Sequence, residues 1–245
     1  MTYCVGLRLE NGLVMLSDTR TNAGVDNIAT FGKMHRIEKP GERMIALMTA
    51  GNLAVTQAIV TRLTEGFETA RGEIESLYTV ESMSRAAQIT GEAIRDVHRL
   101  DGEALRDQNV AFDVSILLGG QIKGRAVRLF EVYPVGNYIE ATEDTPYLQI
   151  GEHKYGKPIL DRGVRYETDL FEGIKLVLIS MDSTLRSNLS VGLPIDLLVY
   201  RRDDLTLAVQ RRIDEDDTYF QTISRQWSEA LRRAFQDIPL PNWAE

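Results

Sequence analysis

The sequence is poor in cysteine, and it lacks any long apolar run. Its single cysteine, Cys4, excludes an internal disulfide framework and suits a reducing compartment. No apolar stretch approaches the roughly 18 residues that a membrane-spanning helix needs. No basic-then-apolar signal region opens the chain. These absences lead us to expect a cytoplasmic protein that has no contact with membranes.

Histidine is also scarce, and a phosphate-binding loop is missing. The histidines, His35, His98 and His153, are widely spaced and have no cysteine or carboxylate at metal-ligand spacing. No Gly-rich loop of the G-x-x-x-x-G-K type occurs. We therefore expect neither a metal nor another cofactor, and any dependence on ATP would have to come from a partner protein. The formal charge of −8 argues against a nucleic-acid binder.

The chain does contain enough apolar material for one substantial core. Of its 245 residues, 43% are hydrophobic, and no Pro/Gly/Ser-rich linker divides them. We predict that residues 1–245 form one domain. Blocks of predicted strands are followed by two helices, further strands, two more helices and again strands, which indicates an α+β layered architecture.

The chain opens directly on a predicted β-hairpin. Two apolar-rich runs flank Asn11-Gly12, a pair that tolerates the positive φ of a tight type I′ turn. Only Met1 precedes Thr2, so removal of Met1 would leave a threonine at the end of a strand. Such a residue carries a nucleophilic Oγ and a free α-amine that can accept its proton. An α-amine titrates at about pH 8, which suits a general base better than a lysine side chain does.

Hydrophobic periodicity predicts the remaining elements. The further strands are expected at 28–37, 44–51, 111–118, 126–133, 138–141, 147–150, 195–200 and 205–209. The helices are expected at 52–66, 80–100, 154–160, 171–185 and from about 216 onwards. Asp101-Gly102 is expected to end the second helix, and Gly119-Gly120 the strand from 111. In the last helix, the side chains expected to face the interior are those of Phe220, Ile223, Trp227, Ala230 and Ala234.

Several motifs together resemble the catalytic β-subunits of the proteasome family, which are N-terminal nucleophile hydrolases with a Thr-Asp-Lys site. These motifs are the start T-Y-C-V-G, the Asn-Gly turn, the run ending S-D-T-R, and Lys33. The stretch SDTRTNAGVDNIATFGKM most resembles the bacterial Anbu group. A threonine directly after the start methionine resembles HslV, the bacterial ATP-dependent relative. The resemblance implies a four-layer αββα sandwich, amide-bond hydrolysis and a homo-oligomeric ring or lock-washer-like assembly.

The resemblance also implies roles for the residues that match the family motif. Thr2 corresponds to the nucleophile, Asp18 to the acid that orients the lysine, and Lys33 to the cation that favours the neutral amine. Gly51 corresponds to a glycine whose N–H binds the oxyanion, and Thr21 to a residue whose backbone pairs with extended substrate. Each residue also has a purely structural interpretation: a turn-capping carboxylate for Asp18, a surface charge for Lys33 and a tight turn for Gly51.

The supporting residues depart from the family pattern. The family's Gly-Ser loop reads Gly151-Glu152 here, which replaces a hydroxyl by a carboxylate. The family's Asp-x-x-Ser pair aligns best with residues 187–190, S-N-L-S. Ser190 is therefore a candidate supporting hydroxyl, while the acid is lost and Asp182 is a nearby substitute.

The spacing and register of the first strands also differ from the family pattern. The segment from Gly24 to Lys33 is one residue shorter than the corresponding segment of the family. A two-residue turn at Asn11-Gly12 would pair Thr2 with Thr21, and strict alternation would put Asp18 on the face opposite Thr2. We expect a strand-end twist or a bulge to reconcile the two side chains.

The sequence thus predicts a bacterial proteasome-related threonine peptidase or amidohydrolase that uses Thr2 after removal of Met1. Two alternatives stay open. One is a non-catalytic structural subunit of a proteasome-like assembly, and the other is an N-terminal nucleophile amidase that acts on small amides. The expected partners are further copies of the same chain and a peptide or protein substrate. An unfoldase or adaptor is left open, and no nucleic acid is expected.

Overall fold

The structure is a computed structural model that describes residues 2–22 and 28–243. Its strands are β1 (Tyr3–Leu9), β2 (Gly12–Asp18), β3 (Arg20–Asn22), β4 (Ile28–Thr30), β5 (Met34–Lys39), β6 (Arg43–Gly51), β7 (Phe67–Glu68), β8 (Ile74–Glu75), β9 (Val114–Ile122), β10 (Arg128–Val132), β11 (Tyr138–Glu140), β12 (Tyr147–Gly151), β13 (Ile195–Arg201) and β14 (Leu207–Ile213). Its helices are α1 (Leu53–Glu65), α2 (Met83–Asp107), α3 (Lys157–Gly163), α4 (Leu170–Ser187) and α5 (Thr218–Asp237).

Most of the strands belong to two antiparallel sheets. The first sheet has the strand order β12-β1-β2-β13-β14, and the second has the order β11-β10-β9-β6-β5. The remaining strands form two short antiparallel pairs, β3 with β4 and β7 with β8. Strand β1, which follows Thr2, therefore lies inside the first sheet between β2 and β12.

Helices cover the outer face of each sheet, which makes four layers. In β1, the side chains of Val5 and Leu7 pack in the apolar cluster that contains α4, whereas Cys4 packs towards the second sheet. Met15 and Leu129 belong to the same cluster between the sheets. Helices α1 and α2 pack on the outer face of the second sheet. The αββα sandwich implied by the resemblance is confirmed.

The N-terminal hairpin forms, but its turn lies one residue earlier than predicted. Leu9 pairs with Gly12, so Glu10 and Asn11 occupy the turn. Gly12 has φ +145°, and a Cβ there would lie 1.9 Å from the carbonyl oxygen of Tyr200 in β13. The glycine is therefore needed for the close approach of β13 and not as the second residue of a type I′ turn.

The shifted turn changes the predicted partner of Thr2. Thr21 pairs with Ala29 across β3 and β4 and not with Thr2. The carbonyl oxygen of Thr2 instead accepts the N–H of Glu152 at 2.6 Å, which continues the pairing of β1 with β12. The predicted pairing of Thr2 with Thr21 was therefore wrong, because it depended on the misplaced turn.

Three other predicted boundaries were also wrong. The strand expected at 28–37 is divided into β4 and β5 by residues 31–33. Strand β9 continues through Gly119 and Gly120, and Gly120 lets β6 approach, because a Cβ on Gly120 would lie 2.3 Å from the carbonyl oxygen of Met44. Helix α2 continues past Gly102, since one interior glycine costs only about 1 kcal/mol and strong helix formers follow it.

Helix α5 is buried only along its first half. Phe220 and Ile223 are buried, Trp227 and Ala230 are half-buried, and Ala234 is exposed. The inward orientation predicted for Ala234 was wrong, because none of the described residues forms a layer over the second half of α5. No helix in residues 2–22 and 28–243 is long and apolar enough to cross a membrane.

The exposed side chains of Leu231, Phe235, Ile238, Leu240 and Trp243 lie near the C-terminus, and we call them the C-terminal apolar surface.

Candidate active site

A cavity of about 470 Å³ lies where β1 begins and β6 ends. It is lined by Thr2, Arg20, Thr21, Lys33, Thr49, Ala50, Gly51, Leu53, Thr56, Asp113, Ser115 and Gly151. All of the predicted site residues except Asp18 and Ser190 are therefore brought to this one cavity.

Thr2 is held at the cavity by the neighbouring strand β12. Its carbonyl oxygen accepts the N–H of Glu152, and the preceding residue, Gly151, has φ +82°. A Cβ on Gly151 would lie 2.1 Å from the carbonyl oxygen of Thr2, so only glycine lets β12 approach this closely. Thr2 is 8% exposed.

A buried ion pair between Lys33 and Asp18 lies beside the cavity. The Nζ of Lys33 is 2.6 Å from Oδ1 of Asp18, and it also donates to the carbonyl oxygen of Arg20 at 2.7 Å. The same Oδ1 accepts the N–H of Tyr3 at 3.0 Å. The carboxylate of Asp18 therefore ties the lysine to the residue that follows Thr2.

Strict alternation puts Asp18 and Thr2 on opposite faces of the sheet, and the Lys33 side chain reaches Asp18 from the cavity that Thr2 also lines. The β1–β2 register is regular from Cys4–Ser17 to Leu9–Gly12, so no bulge brings the side chains together. The segment before β5 is fixed by the N–H of Thr49, which donates to the carbonyl oxygen of Lys33 at 3.0 Å. From there the Lys33 side chain lines the cavity and reaches Asp18.

Burial controls the protonation of two groups near Thr2. Burial raises the pKa of the Asp18 carboxyl above its usual value, while the Lys33 ammonium and the Tyr3 N–H favour the ionised form and oppose that rise. Burial also raises the pKa of the Cys4 thiol, which disfavours its reactive thiolate. Cys4 is therefore a poor competitor to Thr2 as a nucleophile.

Gly51 joins β6 to α1 at the edge of the cavity. It has φ +112°, and a Cβ there would lie 2.2 Å from the carbonyl oxygen of Asp113. The next residue, Asn52, caps α1: its side-chain oxygen accepts the N–H groups of Ala54 at 3.0 Å and Val55 at 3.3 Å. The cap satisfies donors of the first helical turn and fixes the direction in which the chain leaves Gly51.

Ser190 is not among the residues that line the cavity. It lies in the turn after α4, where its backbone N–H donates to Oδ1 of Asn188 at 2.9 Å. Asp182, the nearby substitute acid, forms an ion pair with Arg186. The carboxylate of Glu152 instead accepts the side-chain amide of Asn188 at 2.9 Å.

Sequence reasoning assigned no role to Asn188. The signal that could have found it is an amide residue directly after the position of the lost acid, combined with the new carboxylate at Glu152.

Met1 and residues 23–27 lie outside the described residues. The removal of Met1 and the effect of the shortened segment 24–33 therefore stay predictions. Within the described residues, no three His, Cys, Asp or Glu side chains are grouped so that they could hold a metal ion.

Comparisons with known proteins assign the family. The model of the proteasome subunit family matches residues 2–199. A (Gly-1) mutant of Anbu from Hyphomicrobium sp. strain MC1 is 51% identical, with a TM-score of 0.90 over 99% of this chain and 100% of that one. Anbu from Yersinia bercovieri, an ancestral beta-subunit, is 50% identical, with a TM-score of 0.90 over 98% of each chain.

A third similar structure is the helical assembly of the Anbu complex from Pseudomonas aeruginosa. It is 44% identical, with a TM-score of 0.91 over 99% of this chain and 100% of that one. None of the curated proteins compared with the chain matches it. The chain belongs to the proteasome subunit family, and the three solved structures named above, which it matches over nearly its whole length, are of Anbu proteins.

Proposed function

We propose that this chain is an N-terminal threonine hydrolase that cleaves amide bonds, with Thr2 as the nucleophile after removal of Met1. The observation that carries the proposal is that Thr2 and Lys33 line the same cavity while buried Asp18 holds the lysine. Membership of the proteasome subunit family supports the same reaction class.

In the proposed reaction, the α-amine of Thr2 takes the proton from Oγ, and Oγ attacks the carbonyl carbon of the substrate. The Lys33 ammonium disfavours protonation of the amine and stabilises negative charge that develops on Oγ. The N–H of Gly51 donates to the carbonyl oxygen as it becomes an oxyanion. The amine then passes its proton to the leaving nitrogen, which leaves an acyl ester on Thr2. Water attacks this ester, releases the acid and restores the hydroxyl.

We propose peptides or protein segments as the substrate class. Among the described strands, β3 pairs only with β4, so one backbone edge of β3 is open beside the cavity. Thr21 lies in β3 and lines the cavity. An open strand edge binds an extended peptide through main-chain hydrogen bonds, and a small amide could not use it.

We also propose that the chain works as a homo-oligomer. The C-terminal apolar surface exposes large side chains on the second half of α5 and on the segment that follows it, and exposed apolar surface of this kind marks an association site. The similar Anbu complex from Pseudomonas aeruginosa forms a helical assembly. A second copy of the chain is therefore the proposed partner of this surface.

The test of the catalytic proposal is the intact mass of the purified protein before and after a threonine-reactive epoxyketone or β-lactone. We expect a species that lacks Met1 and gains one probe mass. The variant Thr2→Ala should gain none, whereas Thr2→Ser keeps a hydroxyl and should still react.

Two outcomes would contradict the proposal. Retained Met1, or a processed chain that gains no adduct, would favour a structural subunit of a proteasome-like assembly. If the adduct forms, turnover of a peptide library compared with turnover of small amides separates a peptidase from an amidase.

A further inference from the structure

The carboxylate of Glu152, the residue hydrogen-bonded to the Thr2 backbone, is fixed by two hydrogen bonds and has no role in the proposed reaction. Its Oε1 accepts the N–H of Lys154 at 2.7 Å, and its Oε2 accepts the side-chain amide of Asn188 at 2.9 Å. Glu152 and Asn188 are each 7% exposed. The carboxylate is therefore held inside the fold and does not turn freely into solvent.

Thr2 and Glu152 lie next to each other where the pairing of β1 with β12 ends. Tyr3 pairs with Gly151, and the N–H of Glu152 donates to the carbonyl oxygen of Thr2 at 2.6 Å. This backbone hydrogen bond puts Glu152 directly beside Thr2, and the charge of a side chain this near acts on a neighbouring titratable group. A charge on the Thr2 nitrogen would therefore interact with the carboxylate of Glu152.

Glu152 keeps its negative charge over the pH range in which an α-amine titrates. Burial acts to raise the pKa of the Glu152 carboxyl, but hydrogen bonds from the Lys154 N–H and the Asn188 amide outweigh it and hold that pKa below its usual value. Because an α-amine titrates at about pH 8, the charge of Glu152 is constant there.

The other charged groups around the site do not share this position. The groups on the surrounding elements are Asp18, Arg20, Lys33, Asp113, His153 and Lys154. Lys33 forms an ion pair with Asp18, and Asp182 in α4 forms one with Arg186. Among these charged residues, Glu152 is the one whose backbone is hydrogen-bonded to Thr2.

We propose that Glu152, oriented by Asn188, is the counter-charge of the Thr2 ammonium and restrains the nucleophile at neutral pH. This inference rests on the proposed function in that Met1 must be removed. A fixed anion stabilises the protonated amine, whereas Lys33 destabilises it. Since only the neutral amine accepts the Oγ proton, Glu152 moves the working range of the nucleophile towards alkaline pH. Glu152 is in this sense a positioning residue that acts through the amine.

The test measures the pKa of the amine without any need for hydrolysis. The amine of the processed chain is labelled by reductive methylation with ¹³C-formaldehyde and titrated by NMR. Glu152→Gln should lower the pKa of the amine by about one unit. Asn188→Ala should lower it by less, and the double variant should match Glu152→Gln, because Asn188 acts through Glu152. Glu10→Gln makes the same charge change at the other end of β1 and should leave the pKa unchanged.

A second readout is the rate of labelling by the threonine probe. Below the pKa of the amine, a shift of one unit gives about a tenfold faster reaction at the same pH. Glu152→Gln should therefore react faster than the wild type at pH 7 and equally fast at high pH. A merely structural role of Glu152 would slow the reaction at every pH.

The inference is overturned if the pKa of the amine is the same in the wild type and in Glu152→Gln, or if Met1 is retained. Should Glu152→Gln not fold, Asn188→Ala decides, and an unchanged or raised pKa of its amine overturns the inference. A processed chain that gains no probe adduct contradicts the proposed function alone, because the NMR titration still reports on Glu152.

Discussion

The ion pair of Lys33 with Asp18 carries the first prediction at the scale of single residues. Their side chains are 7% and 0% exposed, so removal of one charge leaves the other buried without a partner. Asp18→Asn should lower the free energy of unfolding by about 3 kcal/mol or more and abolish probe labelling. The double variant Asp18→Leu/Lys33→Met should be less destabilised than Asp18→Asn.

Denaturant unfolding checks this prediction, and an exposed pair of the same chemistry is the matched control. Lys157 and Asp161 are 2.7 Å apart, but each side chain is 49% exposed. Lys157→Met should change the free energy of unfolding by less than about 1 kcal/mol. If Asp18→Asn is as stable as Lys157→Met, the buried pair contributes no more to the free energy of unfolding than the exposed pair does.

Single residues also show how far the sequence could be interpreted. Thr2, Asp18 and Lys33 could be found because they belong to one short N-terminal motif. The contact between Glu152 and Asn188 could not, because 36 residues separate them and the end of α4 brings them together. The roles assigned to Gly51, Thr21, Ser190 and the N-terminal motif stay predictions until the mass experiment.

Helix α1 carries the prediction at the scale of secondary-structure elements. Asn52→Ala removes the acceptor of two first-turn N–H groups and should lower the free energy of unfolding by about 1 kcal/mol. Asn52→Asp keeps an acceptor and should be close to the wild type. Denaturant unfolding of both variants tests this, and an Asn52→Ala protein as stable as Asn52→Asp would show that the cap is dispensable.

The elements themselves were largely predictable, and two of the errors share one cause. Periodicity located the main strands and every helix among the described residues, because it is a property of neighbouring residues. The errors at Gly12 and Gly120 arose where a neighbouring strand approaches the glycine. Both glycines were interpreted as turn residues, since no sequence window of a few residues contains the strand that makes them necessary.

The C-terminal apolar surface carries the prediction at the scale of the whole molecule. Phe235 in α5 is 77% exposed, and Phe235→Glu should lower the molar mass of the assembly in solution. Gln226→Glu is the control: it adds the same charge to α5 nine residues earlier, on the opposite side of the helix. Light scattering after size-exclusion chromatography compares the two, and equal masses would exclude this surface as the interface.

By itself, the sequence determined the α+β class, the family resemblance and the identity of the N-terminal motif. These are local properties: an apolar period, a motif and the chemistry of the second residue. Only the tertiary structure decided which side chains meet, namely Lys33 with Asp18 and Glu152 with Asn188. Those contacts depend on strand register and on the packing of α4 against the first sheet, which join residues far apart in the chain.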